Sequence, residues 1–318
     1  MPTIPGGVVN VSGDGLSGQD EAFISDFLNQ NSVTDDTTTF TTVTSDTTIT
    51  GTGGETYTLL SSGADNATGS SDSDFVVGNS GNNQIIGGAG NETAFGGDGG
   101  DTLDGGDDND VLYGGGGDDS NVGGNGDDEL YGNAGADTLN GGAGNDALFG
   151  GQGNDVITGG DGDTLFGNAG SDMVQGDGSE QRAYGNQDSD TIDAGGGDDV
   201  AFGGKGNDIV DGGAGNDEIH GNAGNDTLTG GAGSDNFVYL RSTDGQDTIL
   251  DFTIGTDVIQ ISQALRPDGV TQPSQLTVTE VGGDAVIQLA GDASITLTGI
   301  TEADAVAQLE NIVQFITL

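Results

Sequence analysis

Residues 141–158 read GGAGNDALF-GGQGNDVIT, and residues 212–220 read GGAGNDEIH. These three nonapeptides share one grammar. Two glycines lead, a glycine stands fourth, an aspartate sixth and an aliphatic residue eighth. Extended in both directions, the pattern covers residues 78–238 as 18 repeats, all of nine residues except the eight-residue copy 159–166. Position one is glycine in 17 of the 18, and position four in 15. Position six is aspartate in 15, the exceptions being Asn83, Glu92 and Gln181. Position eight is apolar in 17, with Asn121 the exception. A flexible glycine-rich linker has no reason to place an aliphatic residue at every eighth position. Degenerate copies reach upstream around Gly63-Ala64-Asp65 and Asp72-Ser73-Asp74.

A second period lies over the first. Position nine carries Phe95, Tyr113, Tyr131, Phe149, Phe166, Tyr184, Phe202, His220 and Val238 in even repeats. Odd repeats place Ile86, Asp104, Val122, Asn140, Thr158, Gln175, Asp193, Asp211 and Thr229 there. The structural period is therefore 18 residues, and one coil holds two turns and two short strands. Even repeats stack on one side and odd repeats on the other.

Glycine permits positive φ and lets backbones approach closely, leaving carbonyl oxygens free to face an ion. The sixth-position aspartate adds a carboxylate. Carbonyls and carboxylates form a hard oxygen cage suited to Ca²⁺, less so to Mg²⁺, and poorly to zinc or copper. Stacked coils set equivalent aspartates about 4.8 Å apart. Each pair then repels by about 1 kcal/mol in water, rising to about 3.5 kcal/mol at an effective dielectric of 20. One small apolar side chain per nonapeptide is a thin core against the entropy of nine ordered residues. An unfolded calcium-free state and a folded calcium state are expected.

Composition agrees. The 318 residues include 65 glycines and no cysteine, and 53 acidic residues against 4 basic give a net charge of −49. Such a charge excludes nucleic acid as a partner and disfavours anionic membranes. No apolar run reaches the roughly 18 residues needed to span a bilayer. MPTIPGGVVNVSG (1–13) lacks the basic and apolar regions of a conventional secretory signal.

Three regions are expected. Residues 1–55 form an irregular N-terminal segment. Its one helical stretch is Ser17–Gln30, with Ser17 and Asp20 placed as a capping box and Phe23, Ile24, Phe27 and Leu28 as its apolar face. Residues 34–52, with 11 threonines, are a linker or ragged first strands. Residues 56–238 form the roll, and residues 239–318 a small antiparallel β region. In that last region Thr248–Phe252, Val258–Ile261, Leu276–Val281, Ala285–Leu289, Ile295–Ile300 and Val313–Leu318 read as strands. A helix begins at Thr301 and Asp304, with Val306 and Leu309 on its buried face.

On residues 78–238 the chain resembles the repeats-in-toxin (RTX) family of secreted bacterial proteins. That resemblance implies an all-β fold, a right-handed parallel β-roll with Ca²⁺ held between loops one coil apart. It also implies the ligands Asp101, Asp110, Asp119, Asp128, Asp137, Asp146, Asp155, Asp163, Asp172, Asp190, Asp199, Asp208, Asp217, Asp226 and Asp235, completed by glycine carbonyls. Residues 234–262 are similar to the segment that follows the repeats in serralysin-type proteases, through Asp247, Asp251-Phe252, Gly255 and Asp257. In that family the C-terminal region carries an uncleaved signal for type I export, so the type I secretion machinery is an implied partner. The protease motif H-E-x-x-H is absent, and His220 is the only histidine.

No catalytic residue and no organic cofactor are expected. G-x-S-x-G does not occur, and the carboxylates are accounted for by metal binding. His220 belongs to the aromatic ladder. That ladder is either a stacked stripe that rigidifies one sheet or a docking surface for polysaccharide or another copy of the chain. The expected function is a secreted, extracellular, non-enzymatic calcium-binding protein with a structural or cell-surface role. An adhesin or glycan-binding solenoid, and an enzyme with an unrecognised active site in 1–77 or 239–318, are the alternatives. On the even edge, the short repeat before Asp163 and the Gln181-Arg182 pair predict a gap or weak calcium site.

Overall fold

The computed structural model describes residues 39–43, 47–48, 56–60, 66–241 and 243–317. The helix expected over Ser17–Gln30 and the Gly63-Ala64-Asp65 copy lie outside these residues. The chain divides into two compact units, Met1–Gly153 and Asn154–Leu318. Each is a stretch of parallel β-roll.

In the first unit, one sheet runs through Thr56–Leu60, Asp74–Asn79, Thr93–Asp98, Val111–Gly116, Glu129–Ala134 and Ala147–Gln152, every neighbour parallel. The facing sheet runs through Asn66–Thr68, Gln84–Ala89, Thr102–Asp107, Ser120–Asn125 and Thr138–Ala143. Partners such as Val111↔Glu129 and Thr102↔Ser120 are one coil apart, the 18-residue period read from position nine. Parallel stacking also extends upstream of the clear repeats. Thr39–Val43 pairs with Thr56–Leu60, and Thr47–Thr48 with Asn66–Thr68.

The local reasons are simple. In a strand of three to six residues only every second side chain faces inward. Position eight is that residue, and Leu103, Leu112, Leu130, Leu139 and Leu148 are at most 1% exposed. Asn121 takes the same inward place and is fully buried, its Nδ2 donating to the Tyr131 carbonyl at 3.1 Å. The turns demand positive φ at position two. Gly115 has φ +117°, and where glycine is missing Asn133 takes φ +75°, which asparagine tolerates better than most residues. Close approach is the other demand: a Cβ on Gly117 would overlap the Gly99 carbonyl of the coil before.

The second unit continues the same plan by itself. One sheet stacks Thr164–Ala169, Arg182–Gln187, Val200–Lys205, Glu218–Ala223, Asn236–Tyr239, Val258–Ser262 and Val313–Ile316 in parallel. The other stacks Val156–Thr158, Met173–Gln175, Thr191–Asp193, Ile209–Asp211, Thr227–Thr229, Gln246–Ile249 and Ser294–Leu297. The antiparallel strands expected at the C-terminus are present: Ser294–Leu297 pairs with Asp284–Gln288, and that with Val278–Val281. The four strands Gln246–Ile249, Val258–Ser262, Ser294–Leu297 and Val313–Ile316 instead prolong the parallel sheets past residue 238.

The helix Glu302–Ile312 is capped by Thr301, whose hydroxyl accepts from the Asp304 N–H at 3.2 Å. It buries Ala305, Leu309 and Ile312. Val306, expected on the inner face, is 54% exposed. Ala305, Leu309 and Ile312 define a stripe at i, i+4, i+7, and Val306 sits one position off it.

Candidate metal centre

All fifteen position-six aspartates expected as ligands lie at the turns between strands, each only 1–3% exposed. Burial of so many carboxylates needs compensation. Half of it is visible. Within each unit, the backbone N–H of a position-six residue donates to the side-chain oxygen of its counterpart one coil later. In the first unit Asp101 donates to Asp119 and Asp119 to Asp137, at 2.7 and 2.8 Å. On the other edge Asp110 donates to Asp128 and Asp128 to Asp146, at 2.7 and 2.8 Å.

The second unit repeats the ladder by itself. Asp155, Asp172, Asp190 and Asp208 donate in turn to Asp172, Asp190, Asp208 and Asp226, all at 2.8–2.9 Å. Asp163 donates to Gln181, and Asp199 and Asp217 donate to Asp217 and Asp235.

The other carboxylate oxygen is left over. Oδ2 of Asp101, Asp110, Asp119, Asp172, Asp190, Asp199, Asp208, Asp217, Asp226 and Asp235 is buried without a hydrogen-bond partner. All but Asp199, whose turn begins with Ala194, face the position-one glycine of their own turn. A Cβ on Gly96 would overlap Asp101 Oδ2 and crowd the Gly114 carbonyl, and one on Gly185 would do the same to Asp190 Oδ2 and the Gly203 carbonyl. The missing side chains thus hold open a cradle walled by one carboxylate oxygen and a backbone carbonyl of the next coil. Among the described residues no three His, Cys, Asp or Glu groups converge on one point. Backbone carbonyls must therefore complete any cation shell. That mixture of oxygen donors fits Ca²⁺.

Burial shifts the turn carboxylates strongly. Burial, with neighbouring carboxylates adding to it, pushes Asp119 and Asp190 up to about 7, while the N–H bonds of Asp101 and Asp172 pull the other way. Asp110 and Asp199 likewise reach about 7, and Asp101, Asp172, Asp208, Asp217 and Asp226 about 6, burial being the largest cause throughout. A divalent cation reverses this situation, because it favours the charged carboxylate.

Several acidic groups occupy equivalent places without having been expected there. Asp247 Oδ1 accepts from the Asp226 N–H at 2.9 Å, and Asp257 Oδ1 from the Asp235 N–H at 3.2 Å. Asp251 lies outside that row and accepts from the Gly230 and Gly231 N–H groups. Burial, then nearby Asp226 and Asp244, pushes Asp247 up to about 8. The signal was present in Gly245-Gln246-Asp247-Thr248-Ile249 and Gly255-Thr256-Asp257-Val258-Ile259, which keep positions four to eight but lose the leading glycines. Upstream, Asp74 is buried and accepts from the Ser70 N–H at 2.7 Å. Glu92 fills a position-six place with both carboxylate oxygens unpartnered, and burial beside Asp110 raises it to about 9.

The aromatic ladder is a stack. Phe95, Tyr113, Tyr131 and Phe149 lie at centroid spacings of 4.6–4.8 Å and within 7° of parallel. In the second unit Phe166, Tyr184, Phe202 and His220 stack at 4.3–4.9 Å. His220 ends this run, with Nε2 2.7 Å from Glu218 Oε1. A cavity of about 540 Å³ beside Tyr184 and Phe202 is lined also by Lys205, Arg241 and Asp244. Asp244, its only carboxylate, is engaged by the N–H groups of Leu240 and Arg241.

A family model described as the RTX calcium-binding nonapeptide repeat (4 copies) matches residues 61–94, 86–120, 122–157, 157–180, 184–219, 202–237 and 211–249, more than half of the chain. Among solved structures, the AlgE6R3 subunit of the mannuronan C5-epimerase from Azotobacter vinelandii is 30% identical, over 45% of this chain and 78% of that one, with a TM-score of 0.23. The extracellular lipase LipA from Serratia marcescens is 17% identical, over 79% of this chain and 44% of the lipase, with a TM-score of 0.28. No curated protein sequence matches.

Proposed function

The chain belongs to the RTX calcium-binding nonapeptide repeat family, and from that premise we propose that it is a secreted, non-enzymatic β-roll protein that folds as it takes up calcium outside the cell. The repeats bind several Ca²⁺ ions. One observation carries the reading: at turns such as those of Asp119 and Asp190, one carboxylate oxygen is tied to the coil before, while the other faces a glycine cradle with no hydrogen-bond partner. In this reading Asp101, Asp110, Asp119, Asp128, Asp137, Asp146, Asp155, Asp172, Asp190, Asp199, Asp208, Asp217, Asp226 and Asp235 supply carboxylate oxygens. Asp163 stands apart, because the Gly160 N–H occupies its Oδ2. Position-one carbonyls such as those of Gly114 and Gly203 complete the shells.

The ion supplies positive charge where aligned carboxylates would otherwise repel. The protein's own residues do the rest: the N–H ladder orients each carboxylate, the glycines admit the ion, and the position-eight row excludes water from the interior. Uptake would link folding to the calcium of the extracellular medium, where modules of this kind bind at about 10⁻⁴–10⁻³ M. The non-enzymatic reading is supported by the acidic residues themselves, since those buried in the roll align in the turn rows. The stacked ladder favours a rigidifying role over glycan docking. Its ring faces are covered by neighbouring rings, so mainly edges remain for a sugar.

Export by a type I machinery rests on residues 239–318. A carrier protein fused to residues 239–318 should reach the medium of a bacterium that has such an exporter, and the chain lacking residues 259–318 should stay inside. Secretion of the truncated chain at the full level would overturn the export claim.

A further inference from the structure

One turn pair is built differently. Gln181 stands where an aspartate belongs, and the eight-residue repeat 159–166 precedes it by one coil. Gln181 is 1% exposed, as is Asp163. Gln181 Oε1 accepts the Asp163 N–H at 2.9 Å, as an aspartate Oδ1 does at regular turns. Its Nε2, on the far side of the same planar group, spends both hydrogens. One goes to the Gly160 carbonyl at 2.5 Å and the other to Asp177 Oδ1 at 2.9 Å. The shortened repeat contributes too, because it brings the Gly160 N–H onto Asp163 Oδ2. A Cβ on Gly159 would stand 3.0 Å from Asp163 Oδ2, where the regular cradles leave less room. Neither Asp163 nor Gln181 has a buried side-chain oxygen or nitrogen left unbonded, in contrast with Asp172, Asp190, Asp199 and Asp208.

We propose that the Gln181 carboxamide stands in for a calcium ion, its Nε2 filling the cation's place between Gly160 and Asp177, so that this turn pair takes no calcium and is held without it. This rests on the calcium reading of the regular turns. An amide NH₂ is a donor only, as a cation is an acceptor of lone pairs only. It can therefore satisfy a carbonyl and a carboxylate oxygen of the turn, the oxygen types that an ion would bind. A Ca²⁺ ion needs six to eight oxygens. Here it would have to displace a donor group that is tethered to the chain at fixed geometry. Position six carries no carboxylate at Gln181, so the Asp163–Gln181 pair lacks the repulsion of two stacked aspartates. The coil contact at Asp163–Gln181 thus forms in the calcium-free chain and offers the second unit a point from which ordering can spread.

Crystals of the full chain grown with calcium, measured for anomalous scattering, test this directly. Peaks are expected at the Asp172–Asp190, Asp190–Asp208 and Asp199–Asp217 turns, with none at about 2.3–2.6 Å from the Gly160 carbonyl. The variant Gln181→Asp should gain a peak there, and its calcium count by native mass spectrometry should rise by one. A peak beside Gly160 in the natural chain overturns the proposal, as does an unchanged count in Gln181→Asp. Should every turn lack calcium, Asp190 included, it is the calcium reading beneath the proposal that falls.

Discussion

The Asp101 N–H donates to Asp119 Oδ1 at 2.7 Å, and Asp119 Oδ2 stays buried without a hydrogen-bond partner. One carboxylate therefore has two separable duties, holding the coil before it and presenting an oxygen to the turn. Asp119→Ala removes both and strands the Asp101 N–H, a loss of about 1–3 kcal/mol. Asp119→Asn keeps the amide acceptor and loses the charge. In calcium both variants should melt earlier than the natural chain, Ala more so, and each should bind fewer ions. In chelator Asn should fold at least as well as the natural chain, because a repulsion is gone. An Asn variant that is the less stable in chelator would refute the two-duty account.

Calcium should drive folding. With ions chelated, far-UV circular dichroism should show a largely disordered chain, and millimolar Ca²⁺ should produce a β spectrum. A full β spectrum in chelator would rule this out.

Acid should partly replace calcium. Burial, with neighbouring carboxylates, raises Asp110, Asp119, Asp190 and Asp199 from near 3.8 to about 7. A pKa raised on folding means that the folded state binds more protons. Its contribution is fully present below the unfolded pKa near 3.8 and is lost as pH rises through about 7. In chelator, β content should therefore grow as pH is lowered from 8 to 5. With calcium present the sign reverses, since protons compete for the same oxygens, and the calcium midpoint should move to higher concentration below about pH 6. β content in chelator that falls or holds steady on acidification would refute the assignment.

The interior rests on single residues per repeat. Leu130 is fully buried, so Leu130→Ala should cost about 2–5 kcal/mol in calcium-saturated melts. Ile209, one strand position off the inward row, is 53% exposed, and Ile209→Thr should change stability by no more than about 0.5 kcal/mol. Equal effects from the two substitutions would contradict the alternation.

Much of this was legible along the chain. The 18-residue coil followed from Phe95, Tyr113 and Tyr131 recurring at position nine, because stacking geometry repeats whatever the coil repeats. The anomaly at Gln181 was legible as a missing charge. Its physical form was not, because nothing local says that the amide nitrogen reaches Gly160, 21 residues away. Asp247 and Asp257 escaped for a related reason. Their coils are 21 and 22 residues long, judged by Thr227↔Thr248 and Asn236↔Val258, so they fall out of phase with a nonapeptide count.

Sequence alone determined the parallel coil, the inward row at position eight and the carboxylate row at position six. Each depends on a residue type recurring at fixed spacing, and backbone geometry turns such spacing directly into place. Only the tertiary structure decided which oxygen of each carboxylate is engaged, where the row continues past Asp235, and how Gln181 spends its two amide hydrogens. Those outcomes depend on which groups from a different coil arrive within hydrogen-bond range, and that proximity exists only once the coils have stacked.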